Sequence, residues 1–248
     1  MDVIYVLWLR QLKRYWRSRG RVIGALGQPL LFLLALGFGF GPVFRKAGQG
    51  DYIQFLAPGV IGMTILFAAV FSGIELIWDR QFGFMKEVLV APVPRLTIMF
   101  GRTLGGATTA LIQGFIVFVI CLLAGFRLTH VEQVPLAVLF MSLIALMFTA
   151  LGTAIASVMS DFQGFQLVIN FLVMPMFFLS GALFPLMNLP KLLDILATID
   201  PLSYGVDGIR AAFVGVAHFG VRVDLAALFL LSALLLGVGS YLFSRIEL

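Results

Sequence analysis

The chain has 248 residues, 61% of them hydrophobic and only 12% charged, where a soluble domain carries about 25% charged residues. The formal net charge is +5, but the cations sit in short flanks beside apolar runs, a pattern that fits membrane topology and argues against a nucleic-acid partner. The single cysteine, Cys121, excludes an intrachain disulfide and a thiolate metal cluster.

Crossing ~30 Å of hydrocarbon takes roughly 20 apolar residues. Six runs meet that requirement, near 22–42, 54–77, 98–124, 134–158, 165–184 and 224–244. The expected fold is therefore an all-α integral membrane protein, one transmembrane domain over 1–248. The first run is longer than the apolar core of a signal peptide and is expected to be retained as an anchor.

Ahead of it, residues 5–19 read as an amphipathic helix. Tyr5, Trp8, Leu9, Leu12, Tyr15 and Trp16 recur at steps of three and four, while Arg10, Lys13, Arg14 and Arg17 occupy mainly the remaining surface. Such a helix lies in the headgroup region with its aromatics inward. An unstructured basic flank that only sets topology is the plainer alternative.

Gly37, Gly39, Gly41 and Pro42 suit an exit from the first span. Pro58 and Gly59 stand early in the second, where proline costs least. Glu75, near the end of that span, is placed at the interface. The loop that follows can form about three helical turns over 79–90, with Phe82, Met85 and Leu89 on one side, before Pro92 and Pro94 stop it. It reads equally as a handle for a soluble partner or as an ordinary surface helix. Gly101, Gly105 and Gly106 in span three, and Gly152, Thr153, Ala154, Ala156 and Ser157 in span four, permit close helix approach.

Span five carries Pro175 and is followed by Ser180-Gly181, Phe184-Pro185 and Leu189-Pro190. Residues 191–215 are too interrupted by charge for a seventh span and read as two short helices dipping into the outer leaflet. Asp200 is a good N-cap and Pro201 a good first helical residue. Asp207 and Arg210, three apart, can pair.

Eleven of the 17 Lys and Arg fall on the side of the two termini and the loop after span two, which places both termini in the cytoplasm. No phosphate-binding G-x-x-x-x-G-K-[ST] loop, nucleophile elbow or metal-ligand cluster appears, so no enzyme active site and no cofactor bound by this chain are expected.

Two stretches carry a family resemblance. One is Asp79-Arg80-Gln81-Phe82-Gly83-Phe84-Met85-Lys86-Glu87-Val88-Leu89-Val90-Ala91-Pro92-Val93-Pro94-Arg95, with Gly101-Arg102 and Gly105-Gly106-Ala107-Thr108 after it. The other runs from Leu179-Ser180-Gly181-Ala182-Leu183-Phe184-Pro185-Leu186 through Leu189-Pro190 to Asp200-Pro201-Leu202-Ser203-Tyr204-Gly205-Val206-Asp207-Gly208-Ile209-Arg210. Both resemble the membrane subunits of type-2 ABC exporters, in the branch of drug-resistance and nodulation lipo-oligosaccharide permeases. Gln81 stands where that family commonly has an acid, and Asp200 where it commonly has Asn.

The resemblance implies a permease of the plasma (inner) membrane, paired with a second copy and served by two ATP-binding subunits that hold the ATP and Mg. It implies that 79–90 is a coupling helix, with Asp79, Arg80, Phe82, Gly83, Phe84, Glu87 and Pro92 at the ATPase contact. It implies an outer gate containing Phe184, Pro185, Pro190, Asp200, Pro201, Tyr204, Asp207 and Arg210. The expected cargo is drug-like or lipid-linked, and membrane lipids are the surroundings. Ions or peptides as cargo, or an ATP-independent channel, are the alternatives. The commonness of symmetric pairs favours a homodimer.

Overall fold

The computed structural model describes residues 2–46, 50–83, 93–159, 161–187 and 189–245. The described elements are all helices: α1 (Asp2–Arg17), α2 (Arg19–Lys46), α3 (Tyr52–Phe71), α4 (Ile74–Gln81), α5 (Arg95–Leu123), α6 (Val134–Val158), α7 (Phe162–Leu179), α8 (Lys191–Ile199), α9 (Pro201–Val214) and α10 (Val221–Ser244). A 3-10 turn, Val131–Gln133, leads into α6. Among the described residues, six segments are long and apolar enough to cross a membrane: Val22–Lys46, Tyr52–Gln81, Arg95–Leu123, Val131–Val158, Phe162–Leu179 and Val221–Ser244. The protein is a multi-pass membrane protein with the six spans the sequence predicts.

Two span ends differ from expectation. Pro42 does not end the first span, because α2 continues through it to Lys46. Membrane helices tolerate an internal proline where neighbours and local adjustments satisfy the freed carbonyl. The fifth span stops at Leu179 rather than 184, since Gly181 takes φ +69 and turns the chain.

The bundle is built around α3. Its sequence is apolar all round, which suits a helix enclosed on every side, and it packs against α2, α5, α6 and α9. By contrast α2, α7 and α10 leave most of their surface uncovered.

The helix at the N-terminus lies against the start of α5. Leu7, Gln11 and Tyr15 are buried, while Tyr5 and Trp16 remain 58% and 61% exposed. The seam is chosen by its partner: a Cβ at Gly101 would touch Leu7 and Ile4, and one at Gly105 would crowd Gln11. The glycines let the two backbones meet along that line. Trp8 is half-buried, and its Nε1 donates to Thr108 Oγ1 at 3.0 Å.

The second span is broken at Ser72-Gly73, between α3 and α4. A Cβ at Gly73 would run into the Gly152 carbonyl of α6, and one at Gly152 into the backbone of Val70. Neither obstacle is a side chain that could swing aside. Gly152→Ala should therefore lower the unfolding free energy in mild detergent by about 1–3 kcal/mol, read by thermal unfolding. Unchanged stability would contradict this contact.

Candidate functional site

Asp79 stands on the last turn of α4, with its side chain only 5% exposed. Arg10 of α1 grips it with two hydrogen bonds, from Nη1 to Oδ2 at 3.1 Å and from Nη2 to Oδ1 at 2.9 Å. Arg102 of α5 donates to Oδ2 at 2.7 Å and is itself 4% exposed. Arg14 reaches Oδ1 at 3.4 Å and lies 4.0 Å from Glu75 Oε2. One carboxylate thus joins three helices that are far apart in sequence. Charge-assisted and bidentate bonds of this kind are the strong ones.

Glu75, expected at the interface, is buried beside Arg14 one turn before Asp79. The guanidinium of Arg14 also lies 5.7 Å from the Trp78 ring. Next to the hub, Arg80 Nη1 donates to the carbonyls of Met159 at 3.2 Å and Ser157 at 3.4 Å, at the end of α6. A cation there satisfies carbonyls left open at a helix C-terminus. Arg95 donates to the Ser244 carbonyl, so α1, the start of α5 and the end of α10 share one end of the bundle.

The expected helix over 79–90 is not continuous from 79. Asp79, Arg80 and Gln81 close α4, the chain turns at Phe82, and Gly83 takes φ +78. Phe82 is 84% exposed. Phe84, Glu87 and Pro92 lie outside the described residues. The sequence reading assigned Arg10, Arg14 and Arg102 to topology and so missed the hub. Its signal was present: Arg102 falls inside a predicted span, and an arginine there needs an acid to pair with.

At the opposite end, α8 and α9 are the two short helices expected in 191–215. Pro190 immediately precedes α8, and Asp200 caps α9, accepting from Leu202 N at 2.9 Å with Pro201 in the first turn. Tyr204 Oη donates to the Thr198 carbonyl at 2.7 Å, closing the corner between the two helices. From Leu202 to Phe213 α9 is almost wholly buried, enclosed by α3, α6 and α10.

The Asp207–Arg210 pair does not form. Asp207 instead accepts from the backbone amides of His218, at 2.9 and 2.8 Å, and Phe219, at 2.9 Å. Arg210 Nη2 donates to the Gly181 carbonyl at 2.8 Å, and its guanidinium lies 4.1 Å from the Phe55 ring. Each side chain finds backbone partners in the loops that α9 must hold, and the i, i+3 spacing could not reveal those. Pro185 and Arg210 line a cavity of about 630 Å³ at this end, while Phe184 beside them is partly exposed. Asp224, in the first turn of α10, is a further buried carboxylate that the sequence reading passed over, and neither of its oxygens has a hydrogen-bond partner among the described residues.

The fold and these two polar clusters define a polytopic helical bundle tied together at both ends. A family model described as ABC-2 type transporter matches residues 2–214, and the chain belongs to that family. Among curated relatives, a putative transport permease ycf38 of Cyanophora paradoxa is 29% identical over 84% of this chain and 72% of its own length. Nodulation protein J of Rhizobium leguminosarum bv. trifolii is 30% identical over 78% and 74%, respectively. The inner membrane transport permease YadH of Escherichia coli is 27% identical over 88% and 87%.

Burial raises the Asp200 carboxyl from its ordinary 3.8 to about 7, against the opposing pull of the Leu202 amide. The folded state then holds this proton more tightly than the unfolded chain. Stability contributed by this residue is full below about pH 4 and lost as pH rises toward 7. Asp200→Asn keeps the cap and removes the titration. The variant should gain on the order of 1–3 kcal/mol over wild type at pH 8 relative to pH 5, measured by thermal unfolding. Parallel pH profiles would contradict the assignment.

Proposed function

We propose that the chain is the membrane-spanning permease subunit of an ATP-driven exporter that moves an amphipathic or lipid-linked molecule out of the cytoplasm or inner leaflet. Membership of the ABC-2 type transporter family over residues 2–214 carries this reading. The names of the relatives, transport permeases and a nodulation protein, support it.

In this reading two copies of the chain pair, and two ATP-binding subunits dock at the end that carries the termini, which faces the cytoplasm of the plasma membrane. The segment after α4, with exposed Phe82 and with Phe84 and Glu87, seats in the ATPase, and Pro92 sets its exit. Because Asp79 links α4 to α1 and α5, and Arg80 links it to α6, a push on that segment reaches four helices at once. Closure of the ATPases biases a bundle with two arrangements. At the far end the α8–α9 pair dips into the outer leaflet and serves as the gate. Its backbone survives there because α9 is enclosed by protein.

The test is affinity purification of the tagged chain in mild detergent, followed by transport and ATPase assays. A stoichiometric ATP-binding subunit is expected with wild type. Glu87→Lys should insert normally yet lose at least tenfold in transport relative to ATP hydrolysis. A chain that comes down clean and folded contradicts the reading and favours an ATP-independent channel, whereas transport at the normal rate in the variant removes Glu87 from the ATPase contact.

A further inference from the structure

Neither oxygen of Asp224 has a hydrogen-bond partner among the described residues, and the residue is 0% exposed. A bare carboxylate is costly in such a place, and the neutral acid much less so. The helices packed on α10 bring it no cation. α6 has no ionisable side chain, α5 brings only the buried Cys121 thiol to this end, and Arg222 on the same turn of α10 is exposed. From α9, Asp207 and Tyr204 are near enough to interact with Asp224 electrostatically, while Arg210 is committed to the Gly181 carbonyl and the Phe55 ring.

Asp207 and Tyr204 are also what the next loop covers. Residues 215–220 cross from α9 to α10 between two glycines in positive-φ backbone, Gly215 at +80 and Gly220 at +101. Asp207 holds the amides of His218 and Phe219, and the Phe219 ring lies 4.8 Å from that of Tyr204. Among the described residues, 216–219 make no other hydrogen bond. Val216, Ala217 and His218 are exposed and form one wall of the outer cavity of about 630 Å³. The loop is a strap with a hinge at each end, one latch, and an acid beside the residues it covers.

Latch and acid pull in opposite directions. With the strap down, Asp207 keeps three charge-assisted bonds and Asp224 has no donor. With the strap up, the bonds are lost and water can reach Asp224. A neutral Asp224 suits the closed strap, and an ionised one suits the open strap. The closed form therefore binds the proton more tightly, so closing is favoured at low pH and opening as pH rises, the proton passing to bulk water. We infer that residues 215–220 are a proton-controlled lid on the outer cavity, closed while Asp224 is neutral and lifted on Gly215 and Gly220 when it ionises. That the lid lies on an exit path rests on the export reading above, whereas its response to protons does not.

His218 in the strap, His130 against Gly215, its partner Glu132, and Asp200 at the head of α9 are ionisable too, so Asp224 is isolated by substitution. The experiment is hydrogen exchange at the His218 and Phe219 amides of the full chain in nanodiscs, by rapid mixing and mass spectrometry. Protection factors remove the intrinsic pH dependence of exchange. One linked proton shifts the opening equilibrium by up to about tenfold per pH unit. Wild type should lose at least about tenfold in protection between pH 6 and pH 9, and Asp224→Asn less than about twofold. Gly220→Ala leaves both acids in place, and its new Cβ has nothing within 4 Å, so it burdens only the backbone of the closed hinge. Its protection should be low at both pH values.

A flat wild-type profile, a parallel fall in Asp224→Asn, or protection in Gly220→Ala equal to that of wild type at pH 6 overturns the lid. The wild-type profile and Gly220→Ala decide the matter should Asp224→Asn fail to insert. A flat profile in a chain that co-purifies with an ATP-binding subunit sinks the lid alone. The expected profile in a chain that comes down clean sinks the export reading alone.

Discussion

Asp79 and Arg102 are both withdrawn from solvent, 2.7 Å apart, at the point where α1, α4 and α5 meet. Neither charge could stay there alone, because the desolvation of a single buried ion costs several kcal/mol. The pair is tolerable only with further donors, and Arg10 and Arg14 supply them from a helix that lies outside the six spans. That requirement binds α1 to the bundle, with Gly101 and Gly105 providing the close seat on which it rests. Glu75, one turn earlier on α4, and Trp78, next to Asp79, line a neighbouring cavity.

The far end is governed by a related rule with different partners. There Asp207 and Arg210 hold backbone groups rather than each other, one gripping the loop before α10 and the other the turn after α7. The α9 helix between them is sealed by α3, α6 and α10, so its polar groups must be satisfied within the protein. Enclosed α3 runs from this end to the break at Ser72-Gly73 and connects the two clusters.

The sequence made the helices legible and the contacts much less so. Span length and apolar content depend on local composition, and all six spans were readable within a few residues. The Asp200-Pro201 start of α9 was equally local and equally clear. What composition could not provide was pairing. The glycines of α5 seat Leu7, Gln11 and Tyr15 of α1, a pairing that the spacing within α1 alone could not show. The short spacing of Asp207 and Arg210 suggested a mutual bond, but each had a better partner more than ten residues away. Arg10, Arg14 and Arg102 looked like topology signals because their acid lies 69, 65 and 23 residues from them, respectively. Only the charge inside a span pointed toward the hub.

Asp79 fastens α1 to the rest of the bundle. A double-mutant cycle on Arg10→Ala and Asp79→Ala, read by unfolding of the full chain in mixed micelles, measures that fastening directly. The expected coupling energy between the two positions is about 1–3 kcal/mol. Additive effects, with coupling below about 0.3 kcal/mol, would contradict it.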